Sequence, residues 1–261
     1  MWTSLREIVR FREMLLMLIY RDLQAKSRRA FLGYLWVVAQ PLVATGVFTI
    51  LVQLVLKADA GQPVPYPLFV LSGMVLWQYF ANSVVASTES FTNNLDLIIQ
   101  VYFPREILVL YPVLSHLIDL GLGLLLVILG VFVSGVPVTR AVLSLPLLIA
   151  ILALLAFALG LLLAPLNAGF HDVGRIVGIL LGLAMYAAPV LYPLSRVPAR
   201  LLPWFLLNPV AIVISAFHAI LFTPEALELW RLGFAAGVAL AILMGARLAF
   251  RVFERVLADV I

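Results

Sequence analysis

The chain consists mainly of long apolar runs with few or no charged residues, separated by short polar connections. Six of these runs reach the roughly 20 residues that an α-helix needs to cross the hydrocarbon core of a bilayer. The predicted spans are residues 30–56, 67–90, 107–134, 143–165, 173–193 and 229–249. The pattern predicts an all-α integral membrane protein with a single transmembrane domain of six helices over residues 30–261.

Residues 198–224 are also apolar, but prolines divide them into pieces of about 14 residues at most. A helix of that length is roughly 21 Å long, which is short of a core of roughly 30 Å. We therefore predict a re-entrant helical hairpin between spans 5 and 6, packed on protein or lining an aqueous cavity. The alternative is a seventh span.

Residues 1–29 precede the first span and have a different character. Over residues 4–28, apolar side chains recur at intervals of three and four, and arginines occupy the other faces. The apolar positions are Leu5, Ile8, Phe11, Leu15 and Leu18. A basic amphipathic helix of this kind lies in the membrane interface. Two roles are open for it: anchoring the N-terminus and docking a partner.

The composition agrees with a membrane protein and excludes several other classes. The chain is 64% hydrophobic and 11% charged, and its mean hydropathy is +1.14, values that exclude an ordinary soluble domain. The absence of cysteine excludes disulfides and thiol redox chemistry. The basic residues cluster at membrane edges, so the net charge of +4 does not indicate nucleic-acid binding.

The distribution of basic residues predicts the orientation. Six spans with the N-terminus inside place 12 of the 17 lysines and arginines on the cytoplasmic side, as the positive-inside rule requires. These are Arg6, Arg10, Arg12, Arg21, Lys26, Arg28, Arg29, Arg105, Arg175, Arg247, Arg251 and Arg255. A seventh span would move the last three outside. We therefore expect both termini in the cytoplasm.

The chain offers no catalytic centre of a known kind. Lys26 and Ser27 form the pair that ends a phosphate-binding loop, but Tyr20 and Ala25 stand where its glycines must be. We expect no ATP hydrolysis by this chain alone. His116, His171 and His218 are too far apart in the topology to bind one metal. We therefore predict no catalytic residue, no metal and no cofactor bound by this chain.

His116 and Asp119 lie three residues apart on span 3, and therefore on one helix face. A carboxylate inside a membrane is a functional-site hypothesis. The alternative is a hydrogen-bonded aspartate packed against another helix. We favour this alternative because one acid does not form a proton relay.

Small residues also form a ridge on span 5 at Gly174, Gly178 and Gly182. Such a ridge permits close helix approach, either within the chain, which we favour, or to a second subunit.

The middle of span 2 carries amides and aromatic side chains with polar tips. These groups are costly against lipid but useful along a wet pathway. We predict a translocation pathway from these residues and from further aromatics toward the outer face. The predicted residues are Trp77, Gln78, Tyr79, Asn82, Tyr186, Tyr192, Trp204 and Phe205. For Tyr192 and Trp204 the alternative is an interfacial aromatic belt.

Short motifs in a fixed order point to a family. They are Arg21-Asp22-Leu23, Leu32-Gly33-Tyr34-Leu35-Trp36, Pro41-Leu42, the loop Asn94 to Glu106 with its FPRE ending, His171-Asp172-Val173, Pro189 to Pro193, Asn208-Pro209, and the tail from Phe253 to Ile261. Together they resemble type-2 ABC exporter permeases for polysaccharides, over nearly the whole chain. The FPRE sequence and the ADVI tail are most similar to the O-antigen branch.

The resemblance implies a permease of the bacterial inner membrane that dimerises and binds two separate ABC ATPase subunits, which hold ATP and Mg. The implied substrate is a lipid-linked polysaccharide, with O-antigen favoured. Residues 93–104 would hold the coupling helix that docks on the ATPase. The implied coupling-loop residues are Asn94, Leu95, Asp96, Ile98, Gln100, Tyr102, Phe103, Arg105 and Glu106.

The resemblance also implies a hinge between the interface helix and span 1. Its residues are Arg28, Arg29, Leu32, Gly33, Tyr34 and Trp36. Two roles remain open for Arg28 and Arg29. They either receive the anionic pyrophosphate of a lipid-linked substrate or only fix the topology, and we favour the second.

Other functions stay open at this stage. Within the same superfamily they are export of capsular polysaccharide, teichoic acid or drugs. A membrane glycosyltransferase or acyltransferase needs catalytic acids on loops, and the loops here are short and poor in acids. A flippase driven by an ion gradient usually has more spans.

Overall fold

The computed structural model describes residues 9–28, 34–55, 64–137, 140–222 and 228–260, and these are mostly helical. The α-helices are α1 (Arg12–Arg28), α2 (Leu35–Thr49), α3 (Tyr66–Thr88), α4 (Leu95–Gln100), α5 (Glu106–Val133), α6 (Leu145–Gly169), α7 (Val173–Ala184), α8 (Leu202–Leu207), α9 (Pro209–Phe222) and α10 (Leu229–Val260). A π-helical segment, Ile50–Val55, extends α2, and a 3₁₀ segment, Arg140–Ser144, precedes α6.

Five described helical stretches are long and apolar enough to cross a membrane. They are Leu35–Gln53, Tyr66–Thr88, Glu106–Val133, Arg140–Gly169 and Leu229–Phe250. Five of the six predicted spans coincide with these stretches. The protein is therefore a multi-pass helical membrane protein.

The fifth predicted span, residues 173–193, is only partly helical. Helix α7 has 12 residues and a 3₁₀ turn, Met185–Ala187, adds three. At 1.5 Å per residue, α7 and the 3₁₀ turn together are about 22 Å long, which is shorter than a bilayer core. The chain is extended at Ala188, just before Pro189, because a residue that precedes proline is disfavoured in the α conformation. The predicted span of about 20 helical residues is therefore too long for this segment.

Helix α6 continues past the predicted end of span 4 at Pro165, as far as Gly169. A proline removes a single backbone donor, and the helix can resume after it. The Phe170 amide donates to the Leu166 carbonyl at 2.8 Å, so the last turn is intact. Pro41 in α2 and Pro112 in α5 also lie inside spanning helices.

Helix α3 is the centre of the bundle. In the most apolar part of α3, 78% of the residues are buried inside the protein. The corresponding buried shares are 11% for Leu35–Gln53 and 22% for Leu229–Phe250. It packs against α5, α6 and α2. Ser87 of α3 donates to the Val109 carbonyl of α5 at 2.9 Å. Because α3 is enclosed by protein, most of its polar side chains face neighbouring helices.

Helices α8 and α9 form the segment predicted as a hairpin, with six and 14 residues respectively. Asn208 joins them, and its Oδ1 accepts a hydrogen bond from the Val210 amide at 3.0 Å. Helix α9 packs against α3, α6 and α10. Re-entry of the pair into the membrane stays a prediction.

The N-terminal part of α3 contacts both α9 and the segment after α7. The Phe69 ring lies 4.0 Å from the His218 ring of α9. The Tyr66 hydroxyl donates to the Leu191 carbonyl at 3.0 Å. A Cβ atom on Gly73 would lie 3.1 Å from the Val190 backbone and 3.2 Å from His218 Nε2. Glycine at this position therefore permits the close contact.

Helix α1 lies against α5. The predicted apolar stripe faces the bundle at its described positions: Leu18 is buried, and Phe11 and Leu15 are partly buried against the core. Leu5 and Ile8 of that stripe lie outside the described residues. The stripe therefore contacts protein.

Replacing Gly160 with alanine tests the close approach of α6 to α3. The new Cβ would lie 2.4 Å from Ser87 Cβ and 3.0 Å from Val109 Cγ1. Overpacking of this kind costs about 1–3 kcal/mol, so we expect a lower melting temperature of the detergent-solubilised protein. Gly121→Ala is the matched control, since no described atom outside its own helix lies within 4 Å of its Cβ position. An unchanged melting temperature for Gly160→Ala would contradict the packing.

Candidate functional site

A cavity of about 50 Å³ lies between α2, α3 and α5. Six of its lining residues carry polar side chains: Gln40, Gln78, Tyr79, Asn82, His116 and Asp119. The other lining residues are Val37, Pro41, Val75, Leu120 and Gly123. We call this site the polar cavity.

The polar cavity unites two groups that the sequence suggested separately. Gln78, Tyr79 and Asn82 come from the predicted pathway of span 2, and His116 and Asp119 from span 3. Trp77 is buried and contacts Phe80, with ring centroids 5.9 Å apart, and does not line the cavity. Trp77 is therefore a packing residue in this structure.

Sequence reasoning missed Gln40, which lines the same cavity from α2. A signal was available, because Gln40 is a lone amide in an otherwise apolar first half of the span. An isolated amide has no periodic partner, however, and only the packing of α2 against α3 and α5 gives it neighbours.

Asp119 is paired with a lysine from α1. The Lys26 ammonium lies 2.9 Å from Asp119 Oδ2 and 3.1 Å from Asp22 Oδ2. Ser115 also donates a hydrogen bond to Asp22. This agrees with the favoured interpretation of Asp119 as a hydrogen-bonded aspartate packed against another helix. The second oxygen, Asp119 Oδ1, is buried, and the Tyr34 hydroxyl interacts with the Asp119 carboxylate.

His116 is held in one orientation by its own helix. Its Nδ1 lies 2.7 Å from the Pro112 carbonyl oxygen. A carbonyl only accepts, so Nδ1 carries the proton, and Nε2 of the neutral ring is a hydrogen-bond acceptor. In a regular α-helix the backbone amide of His116 also donates to the Pro112 carbonyl. Pro112 has no backbone N–H and donates no hydrogen bond itself.

Helix α1 also contacts the loop that the resemblance implies for coupling. Arg21 donates to the Asn94 side-chain oxygen. The Asn94 amide group donates to the Ser90 carbonyl at 2.8 Å and to the Tyr111 hydroxyl at 3.3 Å. Asn94 therefore connects the start of this loop to α1, to the turn that follows α3 and to α5.

The rest of that loop is a short helix followed by extended chain. A 3₁₀ turn, Thr92–Asn94, leads into α4. Leu95, Asp96, Ile99 and Gln100 are exposed, and Tyr102 is 91% exposed. Ile98 and Arg105 are partly buried, while Phe103 and Glu106 are buried. The loop presents apolar groups outward and is anchored at both ends.

Part of the predicted hinge lies outside the described residues, namely Arg29, Leu32 and Gly33. Arg28 is the last residue of α1. Tyr34 precedes α2, and its buried hydroxyl interacts with the Asp119 carboxylate. Trp36 is exposed.

The predicted outer aromatics form a second group. The Tyr186 ring lies 6.4 Å from that of Phe48 on α2. Tyr192 donates to the Tyr186 carbonyl and packs edge-on against Phe205 at 6.2 Å. Trp204 is exposed. The structure therefore brings Tyr186, Tyr192 and Phe205 together, apart from the residues that line the polar cavity.

Comparison with known proteins places the chain among membrane transport proteins. The family model for the ABC-2 type transporter matches residues 13–222. The chain is 32% identical over 221 residues to an O-antigen export system permease protein RfbA of Myxococcus xanthus, covering 83% of both chains. Two proteins of the same name from Klebsiella pneumoniae are 28% and 26% identical over 207 residues, with 79% of each chain covered.

Replacing Lys26 with methionine tests the ion pair. The side chains of Lys26 and Asp119 are 25% and 15% exposed, so we expect a loss on the order of 2 kcal/mol, below the 3–5 kcal/mol of a fully buried pair. The measurement is thermal unfolding of the purified protein. The double variant Lys26→Met/Asp119→Leu should recover part of the loss, because it also removes one uncompensated carboxylate.

The control for this experiment is Arg175→Met. Arg175 and Asp172 are 4.0 Å apart, and their side chains are 82% and 83% exposed, so this pair should contribute almost nothing. Equal melting temperatures for Lys26→Met and Arg175→Met would contradict a stabilising role of Lys26.

Proposed function

As the chain belongs to the ABC-2 type transporter family, we propose that it is the permease of an ATP-driven exporter that moves lipid-linked O-antigen across the bacterial inner membrane. The observation that carries the proposal is the match, over about four fifths of the chain, to relatives named as O-antigen export permeases. The resemblance found in the motifs of the chain supports the same branch.

The exporter needs a separate ATPase, which we propose binds at the loop Thr92–Pro104. Exposed apolar side chains at Leu95, Ile99 and Tyr102 favour protein contact over solvent. The buried Phe103 connects this surface to the start of α5. Closure of the ATPase subunits around ATP and Mg would then push α4, and α5 would carry the displacement into the membrane.

The proposed assembly contains two copies of this chain. The α2 stretch is 11% buried, and on α7 the side chains of Ile179, Leu183 and Tyr186 are exposed. Among the described residues, no atom outside α7 lies within 4 Å of a Cβ placed on Gly178 or Gly182, whereas Gly174 is in contact with Glu89. The two later glycines of the ridge are thus open in the described structure, which favours packing against the second copy.

The proposed topology has both termini in the cytoplasm and six crossings. The fifth crossing would be α7 with the non-helical chain to Pro193, which is acceptable where that chain is covered by protein. Helices α8 and α9 would then lie toward the outer side. The excess of basic residues on the cytoplasmic side supports this orientation.

Tyr102→Asp tests the proposed ATPase surface. A charge in the centre of an apolar contact should cost at least about 1.4 kcal/mol, which is a tenfold loss of affinity. The measurement is co-purification of the ATPase subunit of an O-antigen exporter expressed with the tagged chain. Leu143→Asp is the control, because Leu143 is 84% exposed and the proposed topology puts it on the opposite side.

We expect Leu143→Asp to retain the ATPase and Tyr102→Asp to lose it, with both proteins present in the membrane in equal amounts. Retention by both variants would contradict the docking surface. Failure of the unmodified chain to bind the ATPase and to restore surface O-antigen in an export-deficient strain would contradict the proposed function itself.

A further inference from the structure

We propose that the polar cavity is a saccharide contact site, in which the side-chain amides of Gln40, Gln78 and Asn82 hydrogen-bond to hydroxyl groups of the glycan during export. The proposal rests on the proposed function, because it assumes that a glycan passes this chain. It adds Gln40 to the predicted pathway residues and specifies the hydrogen-bonding chemistry of the site.

The first argument is the exposure of amides within spanning helices. Gln40 and Asn82 are exposed, and Gln78 is partly exposed. Gln40 lies in the stretch Leu35–Gln53 and Asn82 in Tyr66–Thr88. Amides facing lipid would be left without hydrogen-bond partners, at a cost of several kcal/mol each. The mouth of the cavity must therefore face water, a polar ligand or another protein surface.

The second argument is charge. Among the described side chains, Lys26 is the cation within ion-pair distance of both Asp22 and Asp119. With His116 neutral, these described groups are one ammonium and two carboxylates, so their net charge is negative. A pyrophosphate or another anion is therefore disfavoured here, and groups that donate hydrogen bonds are favoured.

The third argument is the hydrogen-bonding capacity of the amides. Gln40, Gln78 and Asn82 line the cavity and are exposed or partly exposed. A side-chain amide can both donate to and accept from neighbouring hydroxyls. Sugar hydroxyls also donate and accept, and therefore match this lining.

The size of the cavity limits what enters. Its volume of about 50 Å³ exceeds the roughly 10–15 Å³ that one water molecule needs by the same kind of measure. The cavity therefore has room for several water molecules or for the hydroxyl-bearing edge of a sugar. The site would therefore contact the edge of each passing sugar briefly, which suits transport better than tight storage.

Single cysteines test whether the site is wet, and the chain contains no other cysteine. Gln40→Cys and Asn82→Cys are treated in inside-out vesicles with a membrane-impermeant thiol reagent. The control is Ile118→Cys, an exposed apolar position next to Asp119 on α5. We expect both cavity positions to react at least about ten times faster than Ile118→Cys, because thiolate forms only in contact with water.

The same labelling distinguishes a saccharide from water alone. In vesicles from cells that make the lipid-linked glycan, labelling of Asn82→Cys should slow severalfold relative to cells that do not make it. Labelling no faster than that of Ile118→Cys would overturn the proposal. Fast labelling that the glycan does not slow would overturn it equally.

A second measurement separates binding from structure. Gln40→Leu and Asn82→Leu should leave the melting temperature of the protein unchanged or higher, while surface glycan in an export-deficient strain falls severalfold. Gln53→Leu removes an exposed amide elsewhere in the α2 stretch and should export normally. Normal export by Gln40→Leu and Asn82→Leu would overturn the site while leaving the proposed function intact.

Discussion

The enclosure of α3 by its neighbours is the constraint on which the rest of the structure depends. A bilayer core offers no water to polar side chains, so serine, amide and tyrosine groups on this helix need protein around them. Ser87 bonds to the Val109 carbonyl, and the missing side chain of Gly160 lets α6 approach the same point. This three-helix contact holds α5 beside α3 and thereby forms two walls of the polar cavity.

Helix α1 connects two regions that would otherwise be independent. Arg21 contacts the start of the proposed coupling loop at Asn94, and Lys26 contacts Asp119 at the polar cavity. The two residues are separated by five positions, about 7.5 Å of helix. Helix α1 therefore contacts both the proposed ATPase surface and the proposed glycan pathway.

The spans were predictable because each is a long run of apolar residues, and length in a membrane is a strong signal. The ends of the helices were harder to predict, as Pro165 and residues 173–193 show. A proline either is tolerated near a helix end or stops the helix, and tertiary packing decides which. The pairing of Lys26 with Asp119 joins residues 93 positions apart, and Gln40 has no periodic partner. Such contacts depend on helix packing, and the pattern along one helix does not contain them.

Gly73 carries a consequence for the divergence of this protein. A methyl group there would meet the Val190 backbone and the His218 ring at close to 3 Å, and neither can withdraw freely because α9 is packed against α3, α6 and α10. A larger residue at position 73 therefore requires a smaller or displaced partner at 218 or a different path at 190. Substitutions at these three positions should therefore be correlated among homologues, although the positions are spread over more than a hundred residues of sequence.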